Sequence, residues 1–245
     1  MKPTATPPAE PGPLLAFGAH PDDIEFGCGA IVAREVRAGR PAHLVVCSRG
    51  ESGSNGTPAQ RAAEARKAAR ILGAGVEFVL LDGDGALAPS PAHALRLAAV
   101  IRRVRPAVIL APTLTGNQHP DHPALGRIVR DAARLARYGG LRKLRAKTAH
   151  AIGSLLYYAI TPEAEPAGIP PLIIDVTGPG IIATWTAAMQ AHASQLGTRN
   201  YAELQLARAR VLGLRSGTGH AQALYSEDPL IFESLEPLAR AARRY

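Results

Sequence analysis

The sequence predicts an α/β fold: a Rossmann-like, mostly parallel sheet with helices on both faces. Three observations point there. Short runs rich in Leu, Val, Ile and Ala recur between amphipathic stretches of helical length. These runs are continuously apolar rather than alternating, as strands covered on both faces are. The chain has 245 residues, 47% of them hydrophobic, enough to bury a substantial core.

Residues 1–13, rich in Pro and Ala and without a long apolar run, read as a loose tail rather than a signal peptide. Leu14–Gly18 is the first strand, and Ile24–Ala38 a helix that stops at Gly39. Ala42–Cys47 is a strand followed by a polar, glycine-rich loop over 48–57. Pro58 suits the first turn of a helix running to Leu72, and Gly73 ends it. Val76–Leu81 and Ala107–Ala111 are strands; Pro91–Val104 and Asp121–Arg137 are helices. This alternation implies parallel βαβ units. Further strands are predicted at Ser154–Ile160 and Leu172–Val176, helices at Gly180–Gln195 and Tyr201–Leu212, and a short terminal segment at Ala221–Tyr225. This last third is expected to complete the sheet and wall one side of a cleft. No repeat or linker divides the chain, so 14–245 is read as one domain.

The formal charge of +8 comes from arginine, and a net charge of that sign attracts anions. Yet the arginines fall mainly on predicted helix faces (Arg61, Arg66, Arg70; Arg127, Arg130, Arg134, Arg137) and read as solvated surface. At 4%, aromatic residues are too few to build stacking platforms, so no nucleic-acid partner is expected. Cys28 and Cys47 read as small core residues of a reducing compartment. No apolar run is long enough for a membrane span, and the chain is read as soluble and cytoplasmic.

Two motifs carry the chemistry, Ala19-His20-Pro21-Asp22-Asp23 and His119-Pro120-Asp121-His122. Each follows a predicted strand, and loops after neighbouring parallel strands are where an open α/β sheet holds its ligand. Catalytic zinc takes three protein ligands and keeps a fourth position for water. Asp22 and Asp23 are adjacent, so their side chains diverge; one can bind metal while the other faces the water. His119 and His122 stand three apart at a helix entrance; one can ligate and the other donate to a developing oxyanion, with Asp121 to orient it. The plainer alternative makes His-Pro-Asp-Asp a turn whose aspartate caps the next helix. Such ligands suit zinc, and also iron, cobalt or manganese. No G-x-G-x-x-G follows the first strand, which speaks against a dinucleotide module.

AHPDDIEFGCGA (19–30), SRGESGSNGTPAQRAAEARKAARILG (48–73), RPAVILAP (105–112) and HPDH (119–122) resemble the LmbE/PIG-L family of zinc-dependent N-acetylglucosaminyl deacetylases. The resemblance runs from about Leu14 to Phe232. GLRKL (140–144), DVT (175–177), SQLGTRNYAELQLARAR (194–210) and SGTGHAQAL (216–224) are most similar to the bacillithiol-pathway deacetylases, which act on N-acetylglucosaminyl-malate. The resemblance implies a three-layer sandwich with Zn2+ on His20, Asp23 and His122 and Asp22 as general base. It makes His119 the group that polarises the carbonyl or protonates the leaving amine, supported by Asp121. It implies substrate contacts from Arg49 and His192, a small N-acetylated amino sugar as partner, anionic in this subgroup, and a homo-oligomer; His220 can reach the substrate site as a hydrogen-bonding group. The chain departs from the subgroup where Tyr-Ala-Glu and an aromatic are replaced by His220-Ala221-Gln222-Ala223-Leu224. Other readings are the same hydrolysis on a chitooligosaccharide or other conjugate, or a sugar- or nucleotide-binding module without turnover.

Overall fold

A computed structural model describes residues 12–116, 119–197, 200–238 and 240–242. Five strands, β1 (Leu14–Gly18), β2 (Ala42–Val46), β3 (Gly75–Phe78), β4 (Val108–Pro112) and β5 (Ser154–Tyr158), form a sheet of order β3-β2-β1-β4-β5. All four pairings are parallel. The chain winds outward from β1 to β3 and then returns to β4 on the other side of β1. The β1/β4 boundary is therefore the topological switch point, and both sequence motifs emerge there.

Alternate strand residues feed the two faces. Leu14, Ala16, Leu44 and Leu110 pack with α1 (Asp23–Arg37), α2 (Pro58–Leu72) and α5 (Pro179–Gln190). Leu15, Phe17, Val45 and Ile109 pack with α3 (Pro91–Val104) and α4 (Asp121–Ala136). Thr57 and Ser90 cap α2 and α3, each accepting a backbone N–H through its hydroxyl, and proline follows each cap.

The approach of α1 fixes where His20 and Asp23 stand. Its backbone leaves helical geometry at Cys28 (φ −144°), between two glycines that meet large aromatics. A Cβ on Gly27 would lie 2.2 Å from Tyr158 Cδ2, and one on Gly29 would lie 2.7 Å from Trp185 Cδ1. Both aromatics are fully buried and hydrogen-bonded: Tyr158 Oη donates to Phe17 O and Trp185 Nε1 to Glu25 O, each at 2.7 Å.

The last third departs from expectation. Residues 159–171 hold only the 3₁₀ turn Pro162–Ala164, too little for the crossover that would return a parallel strand. So β6 (Leu172–Asp175) does not join the sheet but pairs antiparallel with β7 (Ala221–Leu224). This ribbon touches the sheet where Tyr157 and Tyr225 exchange two 2.8 Å backbone hydrogen bonds. The helix expected over 180–195 ends at Gln190; after His192 a separate 3₁₀ turn, Ala193–Gln195, follows. The last helix, α6, runs longer than expected, over Tyr201–Arg215. Residues 1–11 of the expected tail lie outside the described residues. Gly12 and Pro13 are tied down, Gly12 O accepting from Arg40 and Pro13 O from the Ala107 amide, both at 2.9 Å.

Gly27→Ala should force the Tyr158 ring and α1 apart, costing about 1–3 kcal/mol by overpacking. Urea unfolding checks this; an unchanged midpoint would mean that α1 does not depend on the glycine.

Candidate active site

The turn after β1 is locally strained. Asp22 sits at φ 110°, in the left-handed half of backbone space that non-glycine residues seldom enter. The strain separates the two aspartates. Asp23 turns back, and its Oδ2 accepts the Ala19 and His20 amides at 2.8 and 2.9 Å. Asp22 turns outward, its Oδ2 3.4 Å from Arg61 Nη2. The turn after β4 delivers His122, whose Nε2 is 3.1 Å from Asp23 Oδ1 and 3.2 Å from His20 Nδ1. His20 Nδ1 is 3.6 Å from Asp23 Oδ2.

These separations test whether a metal fits. Donors about 2.0–2.1 Å from a tetrahedral zinc stand about 3.3 Å from one another. His20, Asp23 and His122, all buried, are spaced accordingly, and their types suit zinc or a neighbouring transition metal. The other nitrogen of His20, Nε2, lies 3.1 Å from both Asp121 Oδ2 and Asp84 Oδ1. A proton on Nε2 shared with Asp121 leaves the Nδ1 lone pair directed at His122 and Asp23, the usual support for a ligating imidazole. His20, Asp84, His119 and Asp121 form a second group of potential ligands within 4.8 Å of one another. In that group Asp121 is already occupied by His20 and by the amides of Gly85 and Leu87, at 2.7 and 3.2 Å.

The electrostatics describe a place built for positive charge. Burial alone would lower the pKa of His20; the Asp23 carboxylate and hydrogen bonds to Asp121, Asp23 and Asp84 overcome it and push the imidazole up to about 12. Burial and the adjacent Asp23 push Asp22 up to about 6, against the opposing pull of His192, Arg61 and His20. Asp84 is held below the usual carboxylate range chiefly by its hydrogen bond to His20. Burial and the neighbouring His20 keep His119 below the usual imidazole range.

Six of the nine predicted site residues come together: His20, Asp22, Asp23, His119, Asp121 and His122. Asp121 stands between His20 and His119 and touches both. Its carboxylate serves His20, while its distance to His119 Nδ1 is 3.9 Å; its backbone N–H donates to that nitrogen instead, at 3.3 Å. Arg49, His192 and His220 lie outside the cavity wall. Arg49 is exposed in its loop. His192 is fully buried behind Phe26, 3.4 Å from Glu25 Oε2. His220 directly precedes β7, and its amide donates to Thr177 Oγ1 at 3.0 Å.

Sequence reasoning missed two members. Asp84, between the positive-φ glycines Gly83 and Gly85 after β3, presents its carboxylate to His20 and Arg61. The Asp-Gly-Asp-Gly run at the carboxyl end of a parallel strand was the available signal. Arg61 is not solvated surface but 5% exposed; it donates to Pro21 O at 3.1 Å and Gly50 O at 3.2 Å and pairs with Asp22. The cavity, about 470 Å³, is completed by Ser52–Ser54, Phe26, Ile160, Thr161, Gln195, Tyr201 and Gln205.

Comparison with known proteins places the chain among relatives. The PIG-L family, described as GlcNAc-PI de-N-acetylase, matches residues 15–133, a span that holds both motifs. A conserved protein of Thermus thermophilus is 31% identical in its crystal structure, with a TM-score of 0.80 over 93% of this chain and 99% of that one. The chain belongs to the PIG-L/LmbE family. A 1D-myo-inositol 2-acetamido-2-deoxy-alpha-D-glucopyranoside deacetylase of Catenulispora acidiphila is 29% identical over 184 residues, 61% of this chain and 60% of that protein. The 4-carboxy-2-hydroxymuconate hydratase of Pseudomonas putida is 25% identical, with a TM-score of 0.76 over 91% of this chain and 99% of that one. Among the first curated relatives it matches, the chain spans 32%, 54% and 60% of their lengths.

A metal taken up by His20 Nδ1 would displace the proton there, so zinc binding near neutral pH should release about one proton. Isothermal titration in two buffers of different ionisation enthalpy reads this directly; identical heats would contradict it. Asp121→Asn should weaken zinc binding about 10–100-fold, the usual loss when a ligating histidine loses its support, measured by competition with a chelator.

Proposed function

We propose that the chain is a metal-dependent N-deacetylase of small N-acetylated glucosamine-type molecules, releasing acetate and a free amine. One observation carries this reading: three convergent metal donors share a cleft with a separate carboxylate, Asp22, and an imidazole, His119. A divalent cation held by His20, Asp23 and His122 would polarise the acetyl carbonyl and lower the pKa of water toward 7. Its charge would also draw Asp22 back down from about 6, keeping that carboxylate ionised at neutral pH.

Asp22 takes the proton from the attacking water, its carboxylate steadied by Arg61. The Asp121 amide occupies His119 Nδ1, so the ring proton belongs on Nε2. From there His119, 40% exposed at the mouth of the site, donates to the developing oxyanion or to the departing nitrogen. Water adds across the C–N bond; acetate and the amine leave.

The finer substrate, N-acetylglucosaminyl-malate, is supported by the resemblance of segments 194–210 and 216–224. Among the described residues of the cavity wall Arg61 is the single arginine, and Asp22 engages it. A cytoplasmic setting is supported by Cys28 and Cys47, both buried and unbridged. No helix among the described residues is long and apolar enough to cross a membrane. The Pseudomonas putida relative supports a second reading, water addition to a carboxylate-rich unsaturated acid.

Zinc-loaded protein incubated with N-acetylglucosaminyl-malate, N-acetylglucosamine and N,N'-diacetylchitobiose should release acetate from at least one of them. Asp22→Asn should keep its metal and lose about 10²–10⁴ in rate. No acetate from any of the three, with consumption of 4-carboxy-2-hydroxymuconate, would favour the hydratase; near-normal turnover of the variant would remove Asp22 from the chemistry.

A further inference from the structure

Two carboxamides stand in the cavity wall, Gln205 from α6 and Gln195 from the 3₁₀ turn Ala193–Gln195, and they are used differently. Gln205 is engaged at both ends: its Nε2 donates to Ile160 O at 2.7 Å, and its Oε1 accepts from Arg208 at 3.4 Å. Gln195 is engaged at one end only. Its Nε2 donates to Asn55 O at 2.9 Å and to Ser194 Oγ at 2.8 Å, which occupies both of its N–H groups. Its Oε1 accepts nothing from the described residues and is not sealed in by them.

The surroundings fix which way this carboxamide faces. A backbone carbonyl can only accept, so Gln195 cannot turn its own oxygen toward Asn55 O. Behind the turn stands Glu64 of α2, whose two oxygens accept the Ser194 amide at 3.0 Å and the Ser194 hydroxyl at 2.6 Å. A hydroxyl that donates to a carboxylate has only lone pairs left for its other neighbour. Ser194 Oγ must therefore receive the N–H of Gln195 instead of offering its own proton. The chain runs one way, from Gln195 through Ser194 to Glu64, and hydrogen bonds aligned in this sense reinforce one another. At its free end it presents an acceptor that is ordered before any ligand arrives.

We propose that Gln195 is a specificity-determining residue whose Oε1 accepts a hydrogen bond from a hydroxyl of the substrate, with Ser194 and Glu64 as positioning residues behind it. The class of substrate rests on the deacetylase reading above. A hydroxyl fits because it brings the donor that this oxygen lacks. A carboxylate in the same place would set acceptor against acceptor, with the Glu64 carboxylate behind. This side of the cleft thus takes the neutral, hydroxyl-bearing face of the ligand.

Gln195→Leu should raise KM for N-acetylglucosamine about tenfold, the loss expected of one such bond, and leave kcat within about twofold. With the wild type, one of the 3-, 4- and 6-deoxy analogues should lose a similar factor in kcat/KM, whereas Gln195→Leu should process that analogue as well as the parent sugar. Glu64→Gln lets the Ser194 hydroxyl turn about; it should raise KM too, and joined to Gln195→Leu it should add nothing. Competition with a chelator should give every variant the zinc affinity of the wild type. An unchanged KM, an equal penalty for the deoxy analogue with and without Gln195, additive losses, or a fall in zinc affinity would each overturn the proposal. Should the wild type release no acetate, the deacetylase reading falls and calorimetry on the metal-free protein decides this one. Binding of N-acetylglucosamine about tenfold weaker in Gln195→Leu supports it, and equal or absent binding overturns it.

Discussion

Everything in the cleft depends on one imidazole surrounded by carboxylates. His20 faces Asp23 and His122 with one nitrogen and Asp84 and Asp121 with the other. A group of carboxylates this dense is unfavourable in a buried site unless a cation shares it. A proton on His20 can play that part, which is the physical meaning of its raised pKa. The fold makes the cluster possible by delivering its members on separate loops: Asp22 and Asp23 after β1, Asp84 after β3, Asp121 after β4. Parallel ladders between those strands hold the loops in register.

Much of this was legible from the chain alone, for reasons tied to period and position. The apolar runs at 14–18, 42–47 and 107–111 could only be buried strands, and His-Pro-Asp-Asp and His-Pro-Asp-His each follow one. The short contacts among His20, Asp23 and His122 fit what those two motifs suggest. Helical periodicity was less informative where the helix meets a loop. Arg61 lies in the first turn of α2, and periodicity assigns it a face without revealing that residues 50–56 fold over that face. Its guanidinium fills space at Gly50 and Gly53, where a Cβ would come within 2.0 and 2.6 Å of it.

The C-terminal third was harder for a topological reason. A strand's direction is set by the connection before it; Pro162, Pro166, Pro170 and Pro171 mark 159–171 as a loop rather than a crossover helix, but they do not say which strand the next one pairs with. Leu172–Asp175 was recognisable as a strand, but its partner was not. The break after Gln190 was equally hidden, because Ala191, His192 and Ala193 are all compatible with a continuing helix. What ends it is tertiary: Ser194 is held by Glu64 of α2, with its amide and hydroxyl donating at 3.0 and 2.6 Å, and Gln195 donates to Asn55 O at 2.9 Å.

The backbone at Asp22 also bears on how this scaffold can diversify. A left-handed conformation costs most side chains about 1–3 kcal/mol, and least for Gly, Asn and Asp. Of those three only Asp carries a carboxylate, so the geometry of the turn and the proton transfer proposed for it select the same residue twice. Position 22 is thus nearly closed to variation, even where a new substrate would favour a longer acid. Room for new specificity on this frame lies instead in the rim, in Thr161, Gln195, Tyr201 and Gln205.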